Sequence, residues 1–379
     1  MNGYFKMNFE IYSILFFISL VIFFSSFLYY GIIALFFISN KKKIFKGPIN
    51  INNNEKCLIV IPILNGQDKI NERIDNIIQF CNSKDYEINI ISDGSSDKTL
   101  EIAEKIRENK KKEGWKIYVD NNLKNIGRAL THNKSIEKYN HKYFLFSDLD
   151  TEFTDSFPSK AYDYIIKNKK CLAVSGQVVF KSRSRYGEFL GKLFFIDVFI
   201  RKLSDISKLC MKGSGPALIV NRKCWVDLKS YEDIDHCIGF MAIKKGGYLK
   251  YKYNSLVFDL ANSTSKKDLN ARRRMTRKSL LSFFNQLKIL KFKNARDYFA
   301  LIGYALHKPF RFLYLPLLTF FWILIVYLNI GIVSTLLLVP FFMVPQLKVV
   351  KTIILSYVLG IYDFLKGRKS GIYKPVNSK

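Results

Sequence analysis

The apolar positions of this chain fall into three regimes. From 9 to 39 they run almost without interruption, with Glu10 breaking the stretch only at its start; from 57 to about 260 they come in short blocks; from 312 to about 365 they run together again. The middle regime carries the local detail. "CLIVIPIL" (57–64), "EINIIS" (87–92), "WKIYV" (115–119) and "YFLFS" (143–147) are apolar-rich runs of strand length. Between them Ile70, Ile74, Ile77 and Ile78 recur at helical spacing, Leu100, Ala103 and Ile106 share a face after Ser96 and Asp97, and 128–139 reads as a third helix. Strands alternating with helices predict right-handed crossovers and a mostly parallel sheet covered on both faces, an α/β fold. Ligands in such sheets bind beyond the carboxyl ends of the strands. Asn65, Asp93, Asp148 and Asp150 fall at those ends.

Both terminal regimes exceed the ~20 residues that a helix needs to cross a bilayer. The first is too long for the apolar core of a cleaved signal peptide, so a membrane anchor is expected, with Lys41, Lys42 and Lys43 on the cytosolic side. At the other end two spans, about 312–328 and 330–346, would return the chain inside at Lys348 and Lys351, and 352–365 would lie in the interface. The expected organisation is an anchor with a basic flank (1–46), an α/β domain (47–265), basic amphipathic interfacial helices (266–311), and a transmembrane hairpin with interfacial helix and tail (312–379).

Charge agrees with that arrangement. Lys and Arg number 60 against 31 Asp and Glu, a formal +29, which suits a nucleic acid, an anionic membrane surface or an acidic substrate. The basic runs "NKKKIFK" and "GRKSGIYK" sit beside the apolar stretches, as the positive-inside rule places them. A nucleic-acid partner would explain the charge but neither the apolar stretches nor the carboxylates. The six cysteines show no CxxC spacing, so buried thiols in a reducing cytosol are expected rather than zinc or disulfides.

The strand "YFLFSDLDTEF" ends in Asp148 and Asp150, a pair costly to bury unpaired but suited to a hard cation. A second D-x-D, Asp233 and Asp235, shows how readily the tripeptide arises alone. The order of segments is more specific. "CLIVIPILNGQDKINERIDNII", "INIISDGSSDKTLEIAEKI", "NIGRALTHNKSI" and "YFLFSDLDTEF" together resemble glycosyltransferase family 2, over about 57–258. The resemblance implies a GT-A fold, a nucleotide-sugar donor (UDP- or GDP-linked), a magnesium or manganese ion and inversion at the anomeric carbon.

Residue by residue, Pro62 and Asn65 match the first strand–loop along the nucleoside, and Asp93 matches the acid that bonds the base. Gly127, Arg128 and Asn133 match a segment beneath the donor, Asp148 matches the acid facing nucleotide and sugar, and Asp150, with Asp148, the metal ligands. "GSGPALIVNRKCW" resembles the acceptor-side loop, with Gly213, Ser214 and Gly215; "YEDIDHCIGFMAIKKGGYLKY" resembles the E-D segment, with Glu232 on the acceptor side and Asp233 as catalytic base. Asp233 also opens the apolar helix 234–243, where an N-cap is the plain alternative. His236 reads as a surface histidine, the stripe Phe189, Leu193, Ile196 and Ile200 as core or membrane-facing, and "YALHKPFRFLYLP" (304–316) as a helix at lipid headgroups.

Three departures from the family pattern stand out. Gly66 occupies a position where relatives often carry Glu, and Ser92 replaces the first Asp of D-D-G-S. In place of the Q-x-x-R-W of processive members the chain has "ARRRM", where Arg274 fits but Ala271 and Met275 do not. The expected protein is a multi-pass membrane enzyme with a cytosolic catalytic domain. It would move one sugar to a hydroxyl of a lipid-linked or growing polysaccharide. A processive synthase and a non-catalytic membrane scaffold are the alternatives.

Overall fold

The structure, a computed structural model, describes residues 55–154, 157–181, 184–260, 265–289, 295–317 and 345–368, with isolated positions within 13–35 and at 319, 320 and 323. Its centre is one eight-stranded sheet in the order β3-β2-β1-β4-β7-β6-β8-β5. The first half alternates as the sequence predicts: β1 (Cys57–Ile63), α1 (Ile70–Phe80), β2 (Tyr86–Asp93), α2 (Thr99–Lys111), β3 (Ile117–Asn122), α3 (Arg128–Lys138) and β4 (Tyr143–Phe146). β1 pairs parallel with both β2 and β4, and β2 with β3. The second half is mixed. β5 (Thr151–Phe153), α4 (Phe157–Lys167), β6 (Cys171–Lys181), α5 (Arg185–Ile206) and β7 (Leu218–Asn221) come first. α6 (Ile234–Lys244) and β8 (Tyr248–Leu260) complete it, with β7 antiparallel to β4 and β6, and β5 antiparallel to β8.

Alternation along β1 sorts the core into two layers. Cys57, Ile59, Ile61 and Ile63 face α1, α2 and α4, while Leu58 and Val60 face α3 and α6. Successive strand residues point to opposite faces, so a strand buried on both sides is apolar at every step. Fully burying each Ile or Leu contributes about 1.5–3 kcal/mol. The six cysteines are all free and buried, as expected.

Among the described residues three helices follow the sheet: α7 (Ser265–Ile289), α8 (Ala295–His307), which continues into a helical stretch at 309–317, and α9 (Pro345–Leu365). α8 packs Ala300, Tyr304 and Ala305 against Phe240 and Ile243 of α6, Phe283 of α7, and Leu209 and Met211. α9 lies along α7, where Gly360 permits a close crossing: a Cβ there would stand 2.6 Å from Thr276 Cβ and 2.9 Å from the Arg273 carbonyl oxygen. Arg273 grips Asp363 of α9 with Nε at 2.6 Å and Nη2 at 2.7 Å.

Two expectations are corrected here. The stretch 304–316 is not a headgroup-facing surface throughout. His307 and Lys308 are buried and both bond Asp197 of α5, which also pairs with Arg201 at 2.5 Å. His236 is not a surface histidine: it is buried, with Nδ1 2.6 Å from the Tyr304 hydroxyl. α6 is buried from His236 to Ile243, so a polar residue in its first turn is enclosed with its apolar neighbours. Among the described residues no helix is long and apolar enough to cross a membrane. Most of the spans expected at 9–39 and 330–346, and about half of that at 312–328, lie outside the described residues.

Candidate active site

The carboxyl ends of β1, β2 and β4 open into a cleft of 510 Å³. Asp93, the last residue of β2, is buried at its floor. Its Oδ1 accepts from Asn122 Nδ2 (2.9 Å) and the Ile126 amide (3.1 Å), and its Oδ2 from the Gly127 amide (2.9 Å). The following Gly94 has φ +72°, and a Cβ there would stand 2.3 Å from the Asn125 nitrogen, so only glycine lets the two loops meet. The carboxylate that family resemblance assigns to the base thus organises the 124–127 loop and the entry to α3.

Pro62 lines the cleft but Asn65 does not. Asn65, at φ 51°, clasps the neighbouring loop: its Oδ1 accepts from the Ser96 amide at 2.8 Å, and its own amide donates to Ser95 Oγ at 3.1 Å. Expected to bind the donor, Asn65 instead fixes this loop and does not face the cleft. The Glu of relatives would need its neighbours to shift here, because a Cβ at Gly66 would stand 2.5 Å from both Ile63 Cγ2 and Leu149 Cδ2.

Arg128, in the first turn of α3, bridges the two halves of the site. Its Nη1 donates to both oxygens of Asp148 (2.9 and 2.7 Å), and its Nη2 lies 3.8 Å from Asp233. Asp150 sits at the mouth, half-exposed, and pairs with Lys69. Such an exposed pair contributes little to stability and exchanges readily. Asp148 and Asp150 supply hard oxygen donors on one wall, and both fit a magnesium- or manganese-type cation completed by ligand oxygens. Among the described residues no group of three or more His, Cys, Asp or Glu could hold a metal alone.

The opposite wall comes from α6, the 212–216 loop and α7. Ser214 and Gly215 line the cleft, whereas Gly213 lies behind them, its carbonyl accepting from Arg201 Nη1 at 3.1 Å. Arg201 also bonds Ser214 Oγ at 2.7 Å, and Ser175 Oγ accepts from the Ser214 amide at 2.8 Å. Asp233 reaches the cleft from the N-cap position of α6; Glu232 does not reach it. The Glu232 carboxylate is buried, accepting from Asn285 Nδ2 (2.8 Å), Gln286 Nε2 (2.9 Å) and the Lys229 amide (2.7 Å). Its expected acceptor-side role gives way to one of holding the 229–233 turn on α7.

α7 is the element that sequence reasoning missed in part. Arg274, expected on the acceptor side, lines the cleft together with Asp268, Arg272, Met275 and Lys278. Lys278 Nζ lies 3.0 Å from Asp233 Oδ1, Ser279 Oγ 3.2 Å from His236 Nδ1, and Ser282 Oγ accepts from the Asp233 amide at 3.2 Å. The available signal was the recurrence of polar residues at 278, 279, 282, 285 and 286, one face of a helix. Burial alone would raise Asp233 and Asp235. For Asp233, Lys278 and Arg128 outweigh burial and hold the carboxyl well below the usual range; Asp235 is lowered by His236 and Lys212. Burial pushes His236 down to about 4, against the pull of Asp235, so its ring is neutral at pH 7.

This geometry has relatives. Residues 58–216 match the model of glycosyl transferase family 2. Poly-beta-1,6-N-acetyl-D-glucosamine synthase of Staphylococcus aureus (strain MSSA476) is 26% identical over 229 residues, 58% of this chain and 53% of that protein. The protein of the same name from Staphylococcus epidermidis is 32% identical over 179 residues, 46% of this chain and 41% of that one. The chain thus spans about half the length of the curated relatives it matches. Among solved structures, the mannosyltransferase PcManGT of Pyrobaculum calidifontis, in complex with GDP-Man and Mn2+, superposes with a TM-score of 0.69 at 11% identity, over 93% of this chain and 99% of that one. Residues 58–216 are thus similar in sequence to glycosyl transferase family 2, and the chain shares the fold of a solved glycosyltransferase.

Proposed function

We propose that the protein transfers a sugar from a nucleotide-sugar donor to a hydroxyl of a lipid-linked or growing polysaccharide acceptor, inverting the anomeric centre. The observation that carries this reading is convergence. Asp93, Asp148 and Asp150 from the strand ends share one cleft with Arg128 from α3, Asp233 from the start of α6 and Arg274 from α7. Pro62 and the loop that Asp93 fixes would receive the nucleoside, and Arg128 the diphosphate. Asp148 and Asp150 would hold a magnesium or manganese ion, and the named ligands of the PcManGT complex, GDP-Man and Mn2+, support both donor class and metal. When bound, the ion supplies positive charge for the departing diphosphate.

Asp233 accepts the proton of the attacking hydroxyl, while Ser214 and Gly215 shape the acceptor side. The carboxylate stands ready in its ionised form, because burial is outweighed by Lys278 and Arg128. We place the reaction at the cytosolic face of a membrane, anchored by the apolar stretches 9–39 and 312–346. Exposed Phe195 and Phe199 on α5 and Tyr298, Phe299 and Ile302 on α8 support a lipid-facing side. Single addition is favoured by Met275, a flexible, half-exposed side chain where a rigid aromatic floor would serve processive transfer. The names of the staphylococcal relatives favour a second reading, processive polymer synthesis.

The test is a screen of UDP- and GDP-sugars for metal-dependent transfer or hydrolysis by the purified protein, with Asp233→Asn beside it. That variant should bind donor normally and lose transfer by roughly 10²–10⁴-fold, the range general-base catalysis contributes. Full transfer by Asp233→Asn removes the base. A ladder of long products from pure enzyme establishes the processive reading.

A further inference from the structure

Asp233 occupies an N-cap position, with φ −118° and ψ 132°, yet its side chain caps nothing on its own helix. An aspartate there ordinarily turns back onto the free amides of the first turn. Here the carboxylate is claimed by other elements. Lys278 of α7 stands 3.0 Å from Oδ1, and Arg128 of α3 stands 3.8 Å away while committed to both oxygens of Asp148. From its own helix face Asp235, paired with Lys212 at 3.5 Å, and the neutral His236. Glu232 is turned away into its bonds with Asn285 and Gln286. Lys278 is therefore the one cation on Asp233 that the described geometry does not share with a second carboxylate.

Its placement is over-determined. α7 meets the 232–236 segment at four successive points, with Lys278 on Asp233, Ser279 on His236, Ser282 on the Asp233 amide, and Asn285 with Gln286 on Glu232. α9 braces the outer side of α7 through Asp363 on Arg273 and the close crossing at Gly360. Lys278 is itself buried and lines the cleft.

We propose that Lys278 is a positioning residue for the transfer: it holds the Asp233 carboxylate charged and turned into the cleft, free of the helix that Asp233 begins, until the acceptor hydroxyl displaces it. The inference rests on the reading of Asp233 as base. It requires no further reactant, since the proton leaves the hydroxyl for Asp233 and the electron pair of the broken C1–O bond leaves with the nucleoside diphosphate.

The experiment is the pH profile of kcat/KM for wild type, Lys278→Met, Lys278→Gln and Lys278→Arg, with nucleotide-sugar affinity measured on each. An opposite charge at this distance lowers a carboxylate by about 1–3 pH units. Lys278→Met should therefore move the acid limb of the profile upward by about that much, with donor affinity within twofold of wild type. Lys278→Gln keeps a donor without charge, carries the same expectation, and serves should the Met variant not fold; Lys278→Arg should bring the limb back. Asp233→Asn separates the two failures: if it transfers normally, the reading of the base falls and this inference falls with it. If Asp233→Asn is inactive but neutral variants at 278 leave the acid limb in place, or weaken donor binding in step with turnover, Asp233 stands and Lys278 is a donor contact or a structural lysine instead.

Discussion

Replacing Asp93 by Asn tests whether that carboxylate serves the loop or the ligand. In the structure Oδ1 takes two donors, Asn122 Nδ2 and the Ile126 amide, and Oδ2 takes the Gly127 amide at 2.9 Å. Asparagine keeps one oxygen and can satisfy the first pair. Its NH2 group then faces the Gly127 N–H, donor against donor, in a buried place. The loss is one hydrogen bond to a charged acceptor plus the desolvation of an amide left unpaired, about 2–3 kcal/mol. Gly127 is the N-cap residue of α3, so the entry to that helix loosens and Arg128 with it. Chemical denaturation followed by intrinsic fluorescence should show a stability loss of that size, together with weakened nucleotide binding. Lost nucleotide affinity at unchanged stability would refute the reasoning, because it would mean that the carboxylate spends its bonds on the ligand.

Asp150→Ala should leave the fold unchanged, since its half-exposed pair with Lys69 contributes little, but should abolish the metal-dependent part of donor binding measured by calorimetry; binding that still responds to manganese as in wild type would remove the assignment. Gly239→Ala should destabilise by about 1–3 kcal/mol or more, because a Cβ there would stand 2.2 Å from the Met211 carbonyl oxygen and backbone would have to part from backbone; an unchanged unfolding midpoint would show that this crossing is looser than described.

The first half of the fold was legible because its signals are local. Each strand of the parallel unit is an apolar run bounded by polar turns, and the observed β1 and β4 lie within a residue of the runs at 57–64 and 143–147. Strand β3 shifted from 115–119 to Ile117–Asn122, since its polar end pairs with Ser92 and Asp93 and has no apolar residue to announce it. That Asp148, Asp150 and Asp233 share one cleft was legible because motif order points to all three. Less legible were the residues that hold those groups in place. Glu232 looks like a site acid until Asn285 and Gln286, more than fifty positions away, claim it. Lys278 and Ser282 carry no motif, and the burial of His236 and Lys308 depends on helices whose packing no local period encodes.

The brace between α7 and α9 has a consequence for how the protein comes into being. Every side chain that lines the cleft lies before residue 279, whereas the helix that backs α7 begins at Pro345. A chain emerging from the ribosome therefore contains its whole chemical complement while the strut behind Lys278 is still unmade. Under the proposed function, transfer should depend on this late-made brace, formed when Asp363 meets Arg273.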